Sequence, residues 1–247
     1  MYLTIITINY NNLNGLKKTI SNISQLKCIY PCEYIVVDGG SGDGSIEAVN
    51  SQSNIVDVFI SERDEGIYDA MNKGIQLATG QYIAFINSGD LVDLNNFSSV
   101  YEEIKLNVND IIYGDYFIGD KNKYKWKGNG VVDDLWKGYF CHQSMYVKRE
   151  LLLLHPFDIK QKICGDTKFV LTAITQSKAN VCKIDLPLCI IEPGGVSDVK
   201  RIQSIISQRD VTIQSKVKSR FEIESYFFPF LMKNIFLQVL RSFRRLW

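Results

Sequence analysis

The chain has 247 residues, of which 46% are hydrophobic and 22% charged, a composition that excludes wholesale disorder. Residues 200–247 carry ten Lys/Arg and three acids, a balance of +7, so the first 199 residues carry −6 of the net +1. An acidic body with a basic tail is typical of a protein that meets an anionic surface, and no nucleic acid is expected as a partner.

The six cysteines form no CxxC pair and there are only two histidines, so a structural zinc site is not expected. The N-terminus lacks the basic start and cleavage site of a signal peptide. No segment reaches the roughly 20 apolar residues that span a bilayer. We therefore expect free thiols in a cytoplasmic protein that is peripheral on the inner face of the cell membrane.

Apolar strands and amphipathic helices alternate through the first ninety residues. The predicted strands are Leu3–Ile8, Tyr34–Val37, Val56–Ser61 and Tyr82–Ile86. The predicted helices are Leu16–Leu26, a segment that begins near Ser45, and Tyr68–Ala78. This order predicts an α/β fold with a mostly parallel sheet flanked by helices.

Ligands of such sheets bind beyond the carboxyl ends of the strands. The polar residues that follow the predicted strands should therefore converge on one crevice; they are Asn9, Asp38, Ser61 and Asn87.

The second half of the chain is less regular. Further strands are predicted at Ile111–Tyr116, Ser144–Val147 and Val181–Leu186, with a helix at Asp166–Ile174. Gly194 and Gly195 precede the change in charge balance near residue 200. We therefore predict a body at 1–199, with halves at 1–100 and 101–199, and a separate tail at 200–247.

Asp38 opens the glycine-rich run DGGSGDGS, which ends at Ser45. An Asp at this strand end can accept a hydrogen bond from the N3–H of uracil. A turn in which Asp43 or Ser41 caps the next helix is an equal alternative. The run lacks the GxGxxG of the first βα turn of a dinucleotide site.

Asp90 ends the run Asn87-Ser88-Gly89-Asp90 after a buried strand. Mg²⁺ and Mn²⁺ prefer oxygen ligands and share their shell between one or two carboxylates, phosphates and water. Asp90 is therefore a candidate metal ligand, and an ordinary turn is the alternative.

The tail predicts an amphipathic helix that begins near Pro229. One arc is apolar and contains Met232, Ile235, Phe236, Val239, Leu240, Phe243, Leu246 and Trp247. The opposite arc is polar and basic, which favours an anionic membrane surface. Phe230, Leu231 and Leu237 fall off the apolar arc, so packing on the protein core is the alternative.

Together these motifs resemble the inverting, metal-dependent glycosyltransferases of the glycosyltransferase family 2 type, particularly small O-antigen and exopolysaccharide enzymes. The resemblance covers about residues 1–195 and is most specific over 62–90, ERDEGIYDAMNKGIQLATGQYIAFINSGD. It implies the GT-A nucleotide-sugar fold, with a catalytic domain at 1–199 in which residues 1–100 bind nucleotide-sugar and metal and residues 101–199 form the acceptor side. It also implies a UDP-sugar donor, a Mn²⁺ or Mg²⁺ cofactor and a lipid-linked acceptor.

The resemblance assigns site residues by position. It implies that Asp38 contacts uracil, that Asp90 binds the metal, and that Asp166 is the general base for the acceptor hydroxyl. Other implied nucleotide contacts are Thr7, Asn9, Tyr10, Asn72, Lys73, Ser88 and Gly89. Implied acceptor or donor-sugar contacts are Asp64, Tyr68, Asp69, Trp126, His142 and Gln143, and Trp136 offers another surface for stacking.

Three positions depart from the family pattern. Asn87 and Gly89 stand where Asp is common, which predicts weak metal affinity without nucleotide, and Gly165 stands where Glu usually precedes the base.

The resulting expectation is transfer of a hexose, glucose or galactose, from a UDP-sugar to a glycan on undecaprenyl diphosphate. The alternatives are a sugar-1-phosphate nucleotidyltransferase and a catalytically silent membrane scaffold. Asn9-Tyr10-Asn11-Asn12 lacks the basic, glycine-rich loop that the first alternative needs, and the three aspartates argue against the second.

Overall fold

The computed structural model describes residues 1–119, 125–128, 130, 132–138, 141–193 and 200–243. Its first half alternates strands and helices, with the strands parallel in the order β3–β2–β1–β4. The strands are β1 (Leu3–Asn9), β2 (Glu33–Asp38), β3 (Val58–Ser61) and β4 (Tyr82–Phe85). The helices are α1 (Leu13–Lys27), α2 (Ser45–Asn50) and α3 (Ile67–Leu77). Every residue of β1, β2 and β4 is buried.

The second half extends the same sheet beyond β4 in the order β8–β6–β9–β5. Strand β8 is antiparallel to β4 and β6, whereas β6 and β9 are parallel. The strands are β5 (Leu91–Val92), β6 (Ile111–Ile118), β7 (Lys125–Lys127), which pairs with β6, β8 (Met145–Lys148) and β9 (Val181–Ile191). The helices are α4 (Phe97–Leu106), α5 (Arg149–Leu154) and α6 (Gly165–Gln176), and Val132–Lys137 and His142–Ser144 form 3₁₀ turns.

Helices cover both faces of this sheet, as the sequence predicts. Apolar side chains of α1 and α4 pack on one face, and those of α3, α5 and α6 pack on the other. Burial on both faces explains why β1, β2 and β4 are apolar throughout instead of alternating. The α/β expectation is confirmed.

The tail forms two helices, α7 (Arg201–Ser215) and α8 (Arg220–Phe243). Both pack on the α/β body through an apolar cluster that contains Trp136, Leu171, Ile205, Val211, Ile223 and Phe227. The predicted start at Pro229 is therefore wrong, because Pro229 lies inside α8. Burial of Ile223 and Phe227 stabilises the turns that precede the proline, so tertiary packing overrides the local signal. Among the described helices, none is both long and apolar enough to span a membrane.

Candidate active site

The buried side-chain amide of Asn9 connects the carboxyl ends of β1, β2 and β4 by hydrogen bonds. Asn9 and Asp38 are register partners, as are Asp38 and Ser61. Asn9 Nδ2 donates to Asp38 Oδ1 at 2.7 Å, and Asn9 Oδ1 accepts from Ser88 Oγ at 2.8 Å. The predicted convergence of these strand ends is therefore present.

Asp38 has no exposed surface, and its carboxylate is fully occupied. Oδ1 accepts from Asn9 Nδ2 and Ser41 Oγ, and Oδ2 accepts from Gly40 N, Ser41 N and Ser61 Oγ. A carboxylate offers about four lone-pair sites. Burial raises the pKa of Asp38, but these hydrogen bonds outweigh it and leave the pKa below its usual value. In this structure Asp38 therefore holds the loop and presents no free acceptor for the predicted uracil contact.

Of the three predicted nucleoside contacts on β1 and its loop, only Tyr10 is accessible. Thr7 has no exposed surface, since its hydroxyl donates to the Ile86 carbonyl and accepts from Tyr34. Asn9 is 1% exposed. Thr7 and Asn9 therefore shape the strand ends from beneath, whereas Tyr10 is 67% exposed.

The predicted ribose and diphosphate residues of α3 are engaged elsewhere. Both groups of the Asn72 amide bond the backbone of Phe157. The Lys73 ammonium pairs with Glu62 at 2.8 Å and Asp69 at 3.4 Å, which compensates its charge. In this structure Asn72 and Lys73 hold α3 to its neighbouring loops, and Asp69 belongs to the same ion-pair network. Their ribose and diphosphate contacts stay a prediction.

Asp90 is 7% exposed and lies in the loop after β4. Gln143 Nε2 donates to its Oδ2 at 2.8 Å, and the Glu192 backbone N–H donates to Oδ1 at 3.1 Å. Burial nevertheless raises the pKa of Asp90. Gln143, predicted to contact acceptor or donor sugar, instead orients Asp90. Each carboxylate oxygen keeps a lone pair, and no ion pair of Asp90 with a basic side chain occurs among the described residues.

Two charged residues that sequence reasoning missed lie beside Asp90. A Cβ at Gly89 would come within 2.9 Å of Glu192 Oε2, and Gly89 has a φ of +103°. Glu192 also pairs with Lys18 of α1. A second carboxylate and a basic side chain therefore border the Asp90 loop, and an Asp at position 89, common in the family, would be strained and would clash.

Asp166 is held by a hydrogen bond with His142. His142 Nδ1 lies 3.2 Å from Asp166 Oδ2, and the Thr167 backbone N–H donates to Oδ1 at 2.8 Å. Burial raises the pKa of Asp166, but His142 outweighs it and the pKa is lowered. Burial likewise lowers the pKa of His142, but Asp166 outweighs it and the pKa is raised. His142 thus keeps Asp166 ionised.

The other ring nitrogen, His142 Nε2, lies 3.1 Å from Asn87 Nδ2. Asn87 Oδ1 is buried and has no hydrogen-bond partner among the described residues. In a neutral ring that donates from Nδ1 to Asp166, Nε2 accepts from the amide. In the protonated ring Nε2 donates, so an amide turned by half a rotation would offer Oδ1 instead. Asn87 can therefore serve both protonation states of His142.

Tyr68 supports Asp166 from α3. Its hydroxyl accepts from the Gly165 backbone N–H at 2.8 Å and lies 3.4 Å from Asp166 Oδ1. Burial and then the charge of Asp166 raise the pKa of Tyr68 far above its usual value, so the hydroxyl keeps its proton. A Cβ at Gly165 would lie 2.7 Å from Tyr68 Cζ, so the ring occupies the space that a Glu at 165 would need.

Two tryptophans, Trp126 and Trp136, are predicted to stack on a sugar ring. Trp136 is 8% exposed and packs on Tyr226 with ring centroids 5.5 Å apart, which corrects the stacking prediction. The side chain of Trp126 lies outside the described residues.

The sequential pair His142-Gln143 links the two halves of the crevice. His142 contacts Asp166 and Gln143 contacts Asp90, and the Asp90 loop reaches Asp38 through Ser88 and Asn9. Asp38, Asp90 and Asp166 therefore belong to one hydrogen-bonded edge of the sheet.

The His142–Asp166 pair predicts a pH-dependent stability. Asp166 contributes above pH 3.8, its usual pKa, and His142 contributes below pH 6.5, its usual pKa. The free energy of unfolding lost in His142→Gln should therefore be largest between these values, about 1–3 kcal/mol. Urea titrations of both proteins at stepped pH measure it. A loss that grows as the pH rises above the raised pKa of His142 would contradict the ion pair.

A family model described as glycosyl transferase family 2 matches residues 4–161 of the chain. A PGL/p-HBAD biosynthesis glycosyltransferase of Mycobacterium bovis is 32% identical over 144 residues, which cover 56% of each protein. Glycosyltransferase GlyG of Streptococcus pneumoniae is 34% identical over 157 residues, 62% of this chain and 44% of GlyG. The chain thus spans about half the length of these relatives.

Solved structures resemble the whole described fold. A fragment of S. aureus TarS, residues 1–349, superposes with a TM-score of 0.68 at 15% identity, covering 92% of this chain and 69% of the fragment. The mannosyltransferase PcManGT of Pyrobaculum calidifontis, in complex with GDP-Man and Mn²⁺, gives a TM-score of 0.67 at 17% identity, with 92% and 69% covered. These likenesses show the GT-A fold.

Proposed function

The chain belongs to glycosyl transferase family 2, and we propose that it is an inverting transferase that moves a hexose from a UDP-sugar to a lipid-linked glycan. Membership in this family argues against a sugar-1-phosphate nucleotidyltransferase. The observation that carries the proposal is the bridge His142-Gln143, which ties the candidate base Asp166 and the candidate metal ligand Asp90 to one crevice.

The proposed reaction is an in-line displacement at the anomeric carbon of the donor sugar. Asp166 accepts the proton of the acceptor hydroxyl as the new glycosidic bond forms and the bond to the UDP oxygen breaks. His142 holds Asp166 ionised, and Tyr68 and the Thr167 N–H fix its orientation. Attack opposite the leaving group inverts the anomeric centre, so an α-linked donor gives a β-linked product.

Asp90 fits a divalent cation, Mn²⁺ or Mg²⁺. It is a desolvated carboxylate with a raised pKa and a free lone pair on each oxygen, and the Glu192 carboxylate lies beside it. Groups of three or more His, Cys, Asp or Glu that could hold a metal do not occur among the described residues, which favours a cation shared with the donor diphosphate. When bound, the cation would stabilise the charge on the leaving UDP.

For the donor and acceptor we propose UDP-glucose or UDP-galactose and a GlcNAc-terminated glycan on undecaprenyl diphosphate, in O-antigen or exopolysaccharide synthesis. TarS structures in complex with UDP and UDP-GlcNAc share the fold and support a uridine donor. The test is incubation with a panel of UDP-sugars, Mn²⁺ and a synthetic GlcNAc-diphospho-lipid, followed by mass spectrometry of the lipid. Failure of every donor to extend the lipid would reject this proposal.

A lipid-linked acceptor requires the enzyme to work at a membrane, and α8 offers the contact. Its outer face exposes Phe221, Phe228, Met232, Ile235, Phe236, Leu237 and Leu240. The inner face, through Ile223 and Phe227, packs on the catalytic body, with Phe230 and Leu231 packed against the same cluster. Residues 200–247 also carry the +7 balance. We propose that α8 rests on the anionic cytoplasmic leaflet as a peripheral anchor.

The double substitution Phe228→Ser and Phe236→Ser should release the protein from vesicles that contain phosphatidylglycerol. The two rings are 60% and 63% exposed, so folding does not depend on them, and each contributes about 1.5–3 kcal/mol when buried in lipid. Co-sedimentation should fall at least about tenfold. Point variants are preferable to truncation, since removing α7 and α8 would uncover their shared apolar cluster.

The matched control is Leu106→Ser with Leu154→Ser, which removes two side chains that are each 65% exposed on other helices. Equal sedimentation of the α8 variant, the control and the unmodified protein would reject the membrane contact.

A further inference from the structure

The nucleotide proposed for this crevice needs an acceptor for its base that Asp38 does not supply. The Asp38 carboxylate has no exposed surface and already accepts from Asn9, Ser41, Gly40 and Ser61. Contact with a base would require a strand-end hydrogen bond to break.

A second carboxylate, that of Asp64, lies directly above the same strand end. A Cβ placed on Gly39, the residue after Asp38, would lie 2.5 Å from Asp64 Oδ2. The absence of a side chain at Gly39 therefore admits the Asp64 carboxylate to this edge of the sheet. Asp64 is only half-buried, so it remains accessible.

The two oxygens of Asp64 differ. Oδ1 accepts from the Gly66 backbone N–H at 2.9 Å, which fixes the orientation of the carboxylate. Among the described residues, no donor or basic side chain pairs with Oδ2, the oxygen that faces Gly39. The loop after β3 thus presents one oriented, unused acceptor.

An aromatic ring borders the same point. Tyr10 Cδ2 would lie 3.1 Å from the Cβ placed on Gly39, and Tyr10 is 67% exposed. A ring with an open face beside an oriented acceptor suits a planar heterocycle, which can stack on the ring and donate an edge N–H to the carboxylate.

We propose that Asp64 Oδ2, beside Tyr10, is the group that reads the nucleobase of the donor. The proposal rests on the proposed function, since it presumes a nucleotide-sugar at this edge. Uracil carries an N–H at N3 and guanine one at N1, and both can donate to a carboxylate. Cytosine at N3 and adenine at N1 present lone pairs, which a carboxylate repels. The site should therefore select uridine or guanosine nucleotides over cytidine and adenosine nucleotides.

Asp64→Asn tests this by reversing the hydrogen bond. The Gly66 N–H still requires an oxygen at the Oδ1 position, so the amide NH₂ of Asn must take the place of Oδ2. That NH₂ faces the N3–H of uracil as donor to donor, but it can donate to N3 of cytosine. UDP affinity should fall about tenfold or more, and the ratio of UDP to CDP affinity should fall further as CDP gains.

Isothermal titration of UDP, GDP and CDP into the full chain at one fixed Mn²⁺ concentration measures these ratios. The matched control is Glu65→Gln, which removes the neighbouring exposed charge and should leave the UDP to CDP ratio unchanged. A UDP to CDP ratio in Asp64→Asn equal to that of the unmodified protein overturns the assignment of Asp64 alone. Failure of the unmodified protein to bind any of the nucleotides overturns the proposed function with it.

Discussion

Asp166→Asn is expected to lower the rate of sugar transfer by about two to four orders of magnitude while UDP binding stays nearly unchanged. The amide is isosteric with the carboxylate: its oxygen can accept from the Thr167 N–H, and its NH₂ can donate to Nδ1 of a neutral His142, so the local fold should persist. It cannot take a proton from the acceptor hydroxyl. Initial rates with saturating donor and acceptor, together with UDP titration, separate the two effects.

The matched control is Asp158→Asn, which removes an acid that pairs with Lys168 of α6 at the protein surface. It loses one ion pair of α6 without touching the crevice, and transfer should be unaffected. Transfer by Asp166→Asn at the rate of the Asp158→Asn control would exclude Asp166 as the base.

The sheet and the carboxyl ends of its strands are predictable because strands that are buried on both faces are apolar at almost every position. The residues of β1, β2 and β4 are all buried, and each run stops at a polar residue at the edge. Convergence of those stops follows from parallel pairing alone.

The accessibility of each side chain at that edge is not predictable in the same way. Thr7, Asn9 and Asp38 have residue types that suit ligand contact, but their polar atoms are taken by partners such as Ile86, Ser88 and Ser61. Those partners lie at least 23 residues away in the chain. Their hydrogen bonds to these side chains can therefore be identified only in the folded protein.

Glu192 was missed because the end of β9 was placed too early. The predicted strand Val181–Leu186 stops just before Pro187, a residue that cannot donate a ladder hydrogen bond. In the structure β9 continues to Ile191, and Pro187 lies opposite Asp115, where the pairing with β6 shifts register. This irregularity accommodates the proline without ending the strand. If the strand end had been predicted at Ile191, Glu192 would have been recognised as a residue that follows a strand.

Asp90→Asn should reduce transfer at least about a hundredfold, because a bound cation contributes several kcal/mol to stabilising the leaving group. The same substitution should not lower the stability of the protein. Burial raises the pKa of Asp90, so the ionised carboxylate costs folding free energy above its usual pKa. Without cation, the melting temperature of Asp90→Asn should therefore not fall, and addition of Mn²⁺ and UDP should stabilise only the unmodified protein.

Asp110→Asn is the matched control, since Asp110 pairs with Lys148 where β6 begins, away from the crevice. It should keep both transfer and the Mn²⁺-dependent rise in melting temperature. If Asp90→Asn keeps the Mn²⁺-dependent rise in melting temperature, or if Asp110→Asn loses it as well, the result would contradict cation binding by Asp90.

Asn87→Asp tests the same cation site by adding a carboxylate instead of removing one. Asn87 lies three residues before Asp90 and its Oδ1 is buried without a partner, so a carboxylate there adds a second charge next to the crevice. Mn²⁺ affinity in the absence of nucleotide, followed by electron paramagnetic resonance, should rise in this variant. Gly89→Asp should instead destabilise the fold, because a φ of +103° is strained for a residue with a side chain. If the cation binds through Asp90 and the donor diphosphate, the added carboxylate must also reduce the dependence of Mn²⁺ binding on UDP. Unchanged dependence on UDP would mean that position 87 does not face the cation.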